Sequence, residues 1–208
     1  KKKKIRKKIK TRFAPKKTET KIKKKPKNTG STVSGISSIN NISLISLEGS
    51  GMVGIPGFSK RLFETLAAQK INVILITQSS SEHSICVGID AHNAKTAKAA
   101  IDELFAYEIA TKKVEPLVVE NNLAIIALVG DQMKNHTGIS GRLFTALGKN
   151  GVNIRAISQG SSERNISAVI NKADIKKAIN VIHEAFFEIE YKEINLFIAG
   201  TGNVGKKL

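Results

Sequence analysis

Hydrophobic residues alternate with polar ones in two patterns, and both patterns occur twice along the chain. Runs with a period of two or rich in β-branched residues predict strands, and apolar residues three and four apart predict amphipathic helices. In the first half, these patterns predict strand 42–48, helix 58–70, strands 71–77 and 84–89, helix 94–106 (capped by Asn93) and strand 112–119. In the second half, they predict strand 123–129, helix 138–149, strands 152–158 and 166–170, and helix 173–187.

The second half repeats the sequence of the first at a constant offset, which carries position 42 to position 123. Laying residues 42–90 on residues 123–171 gives 18 identities in 49 positions without a gap. Among them are Gly57 with Gly138, Gln78 with Gln159 and Glu82 with Glu163. An internal repeat of this quality predicts two copies of one domain of about 80 residues. We therefore expect an α+β fold with two βαββαβ units, each a four-stranded antiparallel sheet with both helices on one face.

Composition excludes several classes of protein. The chain has 208 residues, of which 41% are hydrophobic, and no apolar run approaches the length of a membrane-spanning helix. Its single cysteine, Cys86, excludes a disulfide framework and favours a reducing compartment, so we expect a cytoplasmic protein without a membrane partner. The four histidines share no spacing typical of metal ligands, and we expect no metal site.

The net charge of +17 is concentrated at one end. Residues 1–27 contain 14 lysines, Arg6 and Arg12 against the single acid Glu19, which is +15 and leaves +2 for the rest of the chain. A basic segment of this kind binds polyanions by counterion release, and a polyanion-binding protein remains one interpretation. Nucleic-acid binding is disfavoured because the rest of the chain lacks stacking aromatic pairs, zinc-ligand spacing and a recognition helix.

The repeats resemble a known family. The segment 42–52, the segment 57–63 and Asn72-Val-Ile-Leu-Ile-Thr-Gln-Ser-Ser-Ser-Glu82 resemble the first ACT domain of aspartokinases, and residues 123–170 resemble the second. The resemblance implies ferredoxin-like ACT domains over 42–119 and 120–190. Residues 1–41 would be a basic linker from a kinase domain, and the part near 5–13 would fill the open sheet edge of the second copy.

The C-terminal residues carry a further motif. An apolar strand beginning at Ile194 runs into Gly200-Thr-Gly202-Asn-Val-Gly205, the pattern that opens a dinucleotide-binding unit. After tandem ACT domains, residues 191–208 resemble the start of homoserine dehydrogenase in a bifunctional aspartokinase/homoserine dehydrogenase. The resemblance implies a parent enzyme that uses ATP with Mg²⁺ and NADP. The chain alone lacks a complete nucleotide fold, so we expect it to bind no cofactor and to contain no catalytic residue.

Candidate binding residues follow from the chemistry of an amino-acid effector. A zwitterion needs donors for its carboxylate, and the glycine-rich loop that leads into the first helix offers backbone N–H groups at a helix N-terminus. A glutamine at a strand end both donates and accepts, and the resemblance implies that Gln78 and Gln159 contact threonine. The full set is Met52, Gly54, Ile55, Gly57, Asn72, Val73, Gln78 and Ser80 in the first copy, with Asn153, Ile154, Gln159 and Ser161 in the second.

Some of these residues also have purely structural explanations. The glycines and asparagines also suit tight turns, and the glutamines also suit polar strand ends. We interpret Arg61 and Arg142 as solvated charges on helix faces, and Cys86 as a core residue. Glu82 and Glu163 either orient their turns or contribute to a site.

The combined interpretation is an allosteric regulatory segment that binds threonine for feedback inhibition of aspartate-family biosynthesis. The alternative effector is lysine, sensed by the ACT pair of a monofunctional aspartokinase. Lysine is disfavoured because the first loop, residues 49–57, contains no acid to receive a second ammonium. Exposed sheet edges predict that the two copies pair with each other or with a second chain, which gives extended sheets and a homodimer or larger oligomer.

Overall fold

Strands and helices follow one another in the predicted order over residues 32–162 and 164–188, which are the parts of the chain that the computed structural model describes. The strands are β1 Gly35–Glu48, β2 Val73–Gln78, β3 Ser84–Asp90, β4 Val118–Val129, β5 Ile154–Gln159 and β6 Asn165–Asn171. The helices are α1 Phe58–Ala68, α2 Ala94–Leu104, α3 Ala106–Ala110, α4 Ile139–Lys149 and α5 Ile175–Phe187.

All six strands form one antiparallel sheet in the order β2-β3-β1-β4-β6-β5. The α+β class and the ACT-like fold are confirmed, and the sheets of the two copies are joined to each other through β1 and β4. Residues 42–48 of β1 pair with β3, while residues 35–40 of the same strand pair with residues 124–129 of β4. Each repeat therefore completes its sheet with part of a strand from the other repeat.

Asparagines mark the points where β1 and β4 pass from one repeat to the other. Asn41 and Asn122 occupy equivalent positions in the two repeats, and both have a φ of 60°. Asparagine tolerates this left-handed conformation better than most residues. The pairing of β1 with β4 shifts register between Asn40 and Ile42. The bend lets one long strand serve two sheet regions.

The repeat also begins earlier than sequence identity indicated. The Ser34 amide donates to the Val129 carbonyl at 2.7 Å, and at the equivalent place in the other repeat the Glu115 amide donates to the Glu48 carbonyl at 2.7 Å. Residues 32–48 are thus the structural counterpart of residues 113–129. The two strands predicted over 112–119 and 123–129 are one continuous strand, β4, which begins only at Val118. The edge place predicted for residues 5–13 is occupied by residues 35–40, and residues 5–13 lie outside the described part.

Two hydrophobic cores lie under the helices, one in each repeat. Leu62 and Leu66 of α1 are buried in the first core, and Leu143 and Leu147 of α4 take the same places in the second. A third cluster, which includes Ile42 and Leu123, lies among residues of β1, β2, β4 and β6. The outer strands approach each other, because the Ser158 hydroxyl of β5 donates to the Ile76 carbonyl of β2 at 3.4 Å. The sheet is therefore strongly curled.

The helix α2 begins at Ala94 as predicted, but its predicted cap is wrong. Asn93 makes no side-chain capping bond; instead, Asp90 caps a preceding single turn by accepting from the His92 amide at 2.9 Å. Asn171 does the same for the Ala173 amide before α5, also at 2.9 Å. Over the residues that the structure describes, no helix is both long and apolar enough to cross a membrane.

Comparison of the two repeats predicts that a substitution at Gly148 stabilises the protein. It lies inside α4, where an added methyl group would meet no atom within 4 Å. Its counterpart in α1 is Ala67. We expect Gly148→Ala to raise the free energy of unfolding by about 0.4–1 kcal/mol, because alanine loses less backbone entropy on folding. Urea denaturation measures this change, and a lower stability would contradict the helical environment assigned to Gly148.

Candidate functional site

Two pockets lie at equivalent places in the two repeats. Each is formed by the loop after the first strand of the repeat, the start of the following helix and the glutamine that ends the next strand. The first pocket, of about 310 Å³, is lined by Met52, Gly54, Ile55, Pro56, Gly57, Phe58, Ser59, Gln78, Glu82 and Ile85. The second, of about 280 Å³, is lined by Met133, Asn135, His136, Thr137, Ile139, Ser140, Gln159 and Ile166.

The helix N-termini at the pockets have glycine caps. Gly57 precedes α1 with a φ of 105°, and Gly138 precedes α4 with a φ of 86°. These left-handed conformations favour glycine, and glycine supplies no side chain to cap the helix. The first-turn amides and the helix dipole therefore make both places suitable for a carboxylate.

An acidic side chain reaches the loop of the first pocket. Glu82, in the turn between β2 and β3, accepts a hydrogen bond from the Gly54 amide at 2.9 Å. The loop itself contains no acid, but this carboxylate reaches it from a segment 28 residues further along the chain, which weakens the argument against lysine. A ligand ammonium has an acceptor there, and a ligand carboxylate must compete for the Gly54 amide.

The second pocket has a more polar loop. Asn135 replaces Gly54 and keeps the left-handed backbone, with φ values of 64° and 68°. His136 and Thr137 replace Ile55 and Pro56. The Ser140 hydroxyl donates to Oε1 of Gln159 at 3.2 Å, which links the start of α4 to the end of β5. The polar groups that line this pocket with Gln159 are hydroxyl, amide and imidazole, beside the apolar side chains of Met133, Ile139 and Ile166.

About half of the predicted site residues line one of the two pockets, and the others do not. Met52, Gly54, Ile55, Gly57 and Gln78 come together in the first pocket, and Gln159 lines the second. The remaining predicted residues are not among the lining residues of either pocket: Asn72, Val73, Ser80, Asn153, Ile154 and Ser161. Val73 instead faces a cavity of about 480 Å³ between the outer strands of the curled sheet.

The loop residues of the second pocket were missing from the sequence prediction, although the constant offset between the repeats assigns them. Met133, Asn135, His136 and Gly138 are the counterparts of Met52, Gly54, Ile55 and Gly57. Glu163, the counterpart of Glu82, lies outside the described residues. So do Gly200, Gly202 and Gly205 of the nucleotide-binding motif.

Arg61 is not the solvated helix charge that the sequence suggested. Its guanidinium forms an ion pair with Glu108, donates to the Leu104 carbonyl at 3.1 Å and lies 4.4 Å from the centre of the Phe105 ring. The hydrogen bond from Arg61 lowers the pKa of the Glu108 carboxyl. Arg142 of the second repeat lies 5.2 Å from the centre of the Phe186 ring.

The described residues also include the single cysteine and residue types that can ligate metals. Cys86 is half-buried and packs against the third hydrophobic cluster, and burial raises the pKa of its thiol. A raised pKa disfavours the nucleophilic thiolate. Within residues 32–162 and 164–188, no group of three or more His, Cys, Asp or Glu side chains is placed to hold a metal ion.

Comparison with known proteins agrees with this geometry. A family model for the ACT domain matches twice, over residues 45–105 and 126–186. The bifunctional aspartokinase/homoserine dehydrogenase of Haemophilus influenzae is 39% identical over 182 residues, which are 88% of this chain and 22% of that protein. The chain therefore spans only about a fifth of the length of this relative.

Solved structures give the same answer. The aspartate kinase of Synechocystis matches with a TM-score of 0.66 and 26% identity, over 80% of this chain and 29% of that one. Aspartokinase III of E. coli, in complex with lysine and aspartate, matches with a TM-score of 0.61 and 27% identity, over 76% and 34%. With its two matched repeats and its aspartokinase relatives, the chain belongs to the ACT domain family and is a tandem pair of the kind found in aspartokinase regulatory regions.

Proposed function

We propose that the two pockets bind threonine and that its binding regulates the activities of a longer aspartokinase/homoserine dehydrogenase polypeptide. The observation that carries the proposal is the repeated arrangement of a glutamine opposite a glycine-capped helix N-terminus. Gln78 and Gln159 both line pockets formed by equivalent elements. A helix N-terminus suits the α-carboxylate, and an amide side chain suits the hydroxyl or the ammonium.

Calorimetry on the chain as it stands tests this proposal. Threonine is expected to bind with a stoichiometry of up to two, and to raise the thermal midpoint as any ligand that prefers the folded state does. Heparin is the matched probe for the polyanion interpretation. A stabilisation by heparin that disappears at high salt, together with no response to threonine, would favour the basic segment as the functional element.

Lysine is the second candidate effector, because of Glu82 at the first pocket. Its carboxylate is exposed, accepts from Gly54 and provides a partner for a second ammonium. Aspartokinase III of E. coli, which is similar to this chain, was solved with lysine and aspartate. We retain threonine as the first choice because Ser140, Thr137 and Gln159 give the second pocket hydroxyl and amide groups.

Glu82→Gln separates the two effectors at the first pocket. The substitution removes a charge while keeping an acceptor for the Gly54 amide. If lysine uses this carboxylate, its affinity falls about 1.4- to 5-fold, since an exposed ion pair contributes roughly 0.2–1 kcal/mol. Threonine has no second ammonium, so its affinity is expected to change less. Titrations with both amino acids measure the difference, and an equal change for both would remove the argument for lysine.

We further propose that the chain assembles through its sheet edges. Within the described residues, β2 and β5 each have one hydrogen-bonded neighbour and end the sheet. Sheet edges of this kind pair with other chains unless they are protected, and the contact between β2 and β5 within the chain is a single side-chain bond, from Ser158 to Ile76, among the hydrogen bonds of the described residues. Light scattering is expected to give at least a dimer at tens of micromolar, and a proline in the edge strand β2, as in Ile74→Pro, is expected to weaken it. A strict monomer in the wild type would contradict the proposal.

A further inference from the structure

The two pockets share one backbone frame at the loop that leads into each helix. The Ile55 amide donates to the Met52 carbonyl at 3.2 Å, and the His136 amide donates to the Met133 carbonyl at 3.1 Å. The residue before each of these has a left-handed backbone, with φ values of 68° in the first loop and 64° in the second. The side chains of Ile55 and His136 therefore start from equivalent backbone positions.

Several lining positions outside this loop are the same in the two pockets. Four of them carry identical residues in the two repeats: Met52 and Met133, Ser59 and Ser140, Gln78 and Gln159, and Ile85 and Ile166. The residues that begin the two helices, Phe58 and Ile139, are both apolar. None of these positions gives one pocket a polarity that the other lacks.

The loop gives the first pocket an apolar wall and the second pocket a polar one. Ile55 and Pro56 line the first pocket, and His136 and Thr137 occupy the same places in the second. Ile55 is 53% exposed, so a ligand methyl group that covers it removes apolar surface from water. An imidazole or a hydroxyl at this place can form a hydrogen bond with a ligand hydroxyl. The two walls therefore suit different parts of a ligand side chain.

Threonine, serine and valine separate these two kinds of contact. Threonine has a methyl group and a hydroxyl on Cβ, serine lacks the methyl group, and valine has a second methyl group in place of the hydroxyl. All three have the same α-carboxylate and α-ammonium. The helix N-termini and the carboxylate of Glu82 therefore contribute equally to the binding of all three, and the ranking of the three amino acids reports the side-chain contacts.

We infer that Ile55 and His136 are specificity-determining residues: Ile55 makes the first pocket select the methyl group of its ligand, and His136 makes the second pocket select the hydroxyl. Threonine is the preferred ligand of both pockets, but the pockets rank serine and valine differently. The inference rests on the proposed function, which makes both pockets amino-acid sites, and it gives each pocket its own order of ligands.

The expected rankings follow from the two contacts. At the first pocket, serine should bind about fourfold more weakly than threonine, which is the value of one buried carbon group of this size. At the second pocket this loss should stay below about twofold, while the missing bond to His136 should add about 2- to 12-fold to the loss for valine. The ratio of the valine dissociation constant to the serine dissociation constant is therefore expected to be at least about fivefold larger at the second pocket.

Nuclear magnetic resonance titration of the isotope-labelled chain measures the two pockets separately, through the amide signals of the helix caps Gly57 and Gly138. Ile55→His is expected to raise the ratio at the first pocket about fivefold, and His136→Ile is expected to lower it at the second pocket by a similar factor. Val53→His is the matched control, because Val53 lies in the same loop, is 46% exposed and is not among the residues that line the first pocket. It should change neither ratio by more than about twofold.

Several outcomes would overturn the inference. Equal ranking of serine and valine at the two wild-type pockets contradicts it and leaves the proposed function intact. So does an unchanged ranking in both Ile55→His and His136→Ile, or an equal loss of all three amino acids, which would place these side chains at the ligand's α-carboxylate or α-ammonium. The same change of ranking in Val53→His contradicts the assignment to position 55. If no amino acid shifts either amide signal, the proposed function fails and the inference fails with it.

Discussion

Gln78→Ala is expected to remove most of the first pocket's preference for threonine over valine. The two amino acids differ by a hydroxyl in place of a methyl group. The glutamine side chain is exposed in the free protein, but a bound ligand covers it, so valine would leave the covered amide unpaired at a cost of roughly 1–3 kcal/mol. Threonine should therefore bind about 5- to 150-fold more tightly than valine in the wild type. Gln159→Ala should produce the same loss at the second pocket.

The fold should be preserved in both variants. Gln78 and Gln159 end their strands, and their side chains are exposed. Their backbones pair with Ile85 and Ile166, and alanine keeps this pairing. Ser158→Ala is the matched control, because its side chain points to the opposite face of β5 from Gln159. Calorimetry with both amino acids decides the matter: equal binding of threonine and valine in the wild type contradicts the role of the glutamines.

Repetition made most of this fold predictable. The constant offset identified two copies, and the helices and inner strands of each copy follow directly from local patterns. The exchange of strand segments between the repeats could not be predicted from local patterns, because it depends on pairing between residues far apart in sequence. Residues 35–40 read Gly-Ile-Ser-Ser-Ile-Asn, whose two serines weaken the strand pattern. Only the partner strand β4, which belongs to the other repeat, makes this segment a strand.

The pocket residues that could be predicted are those whose own local sequence signals their place. The loop glycines and the terminal glutamine are visible in the sequence, because helix N-termini and strand ends have local signals. Contacts between distant segments have no such signal. Glu82 reaches Gly54 across 28 residues, and Arg61 reaches Glu108 across 47. The helical pattern places Arg61 on a polar face, but it does not show what that face meets.

Gly49→Ala and Gly130→Ala are expected to destabilise the protein by about 1–3 kcal/mol each, the usual cost of forcing a methyl group into a filled space. The cost does not come from backbone strain, since Gly49 has a φ of 166°, which any residue adopts. It comes from a collision: a methyl group on Gly49 would lie 2.3 Å from the Lys113 carbonyl oxygen and 2.6 Å from the Val114 Cα. On Gly130, it would lie 2.3 Å from the Thr32 carbonyl oxygen.

Gly35→Ala is the matched control, because an added methyl group there meets no atom within 4 Å. Each kcal/mol of lost stability should lower the thermal midpoint by roughly 2–4 °C in a chain of this size. Both Gly49 and Gly130 are held by segments that lead into β4 and β1, the two strands that join the repeats. If Gly49→Ala and Gly130→Ala lower the midpoint and Gly35→Ala does not, then the segments that lead into β4 and into β1 both contribute to stability through these contacts. Wild-type midpoints for Gly49→Ala and Gly130→Ala would mean that these close approaches do not exist in solution.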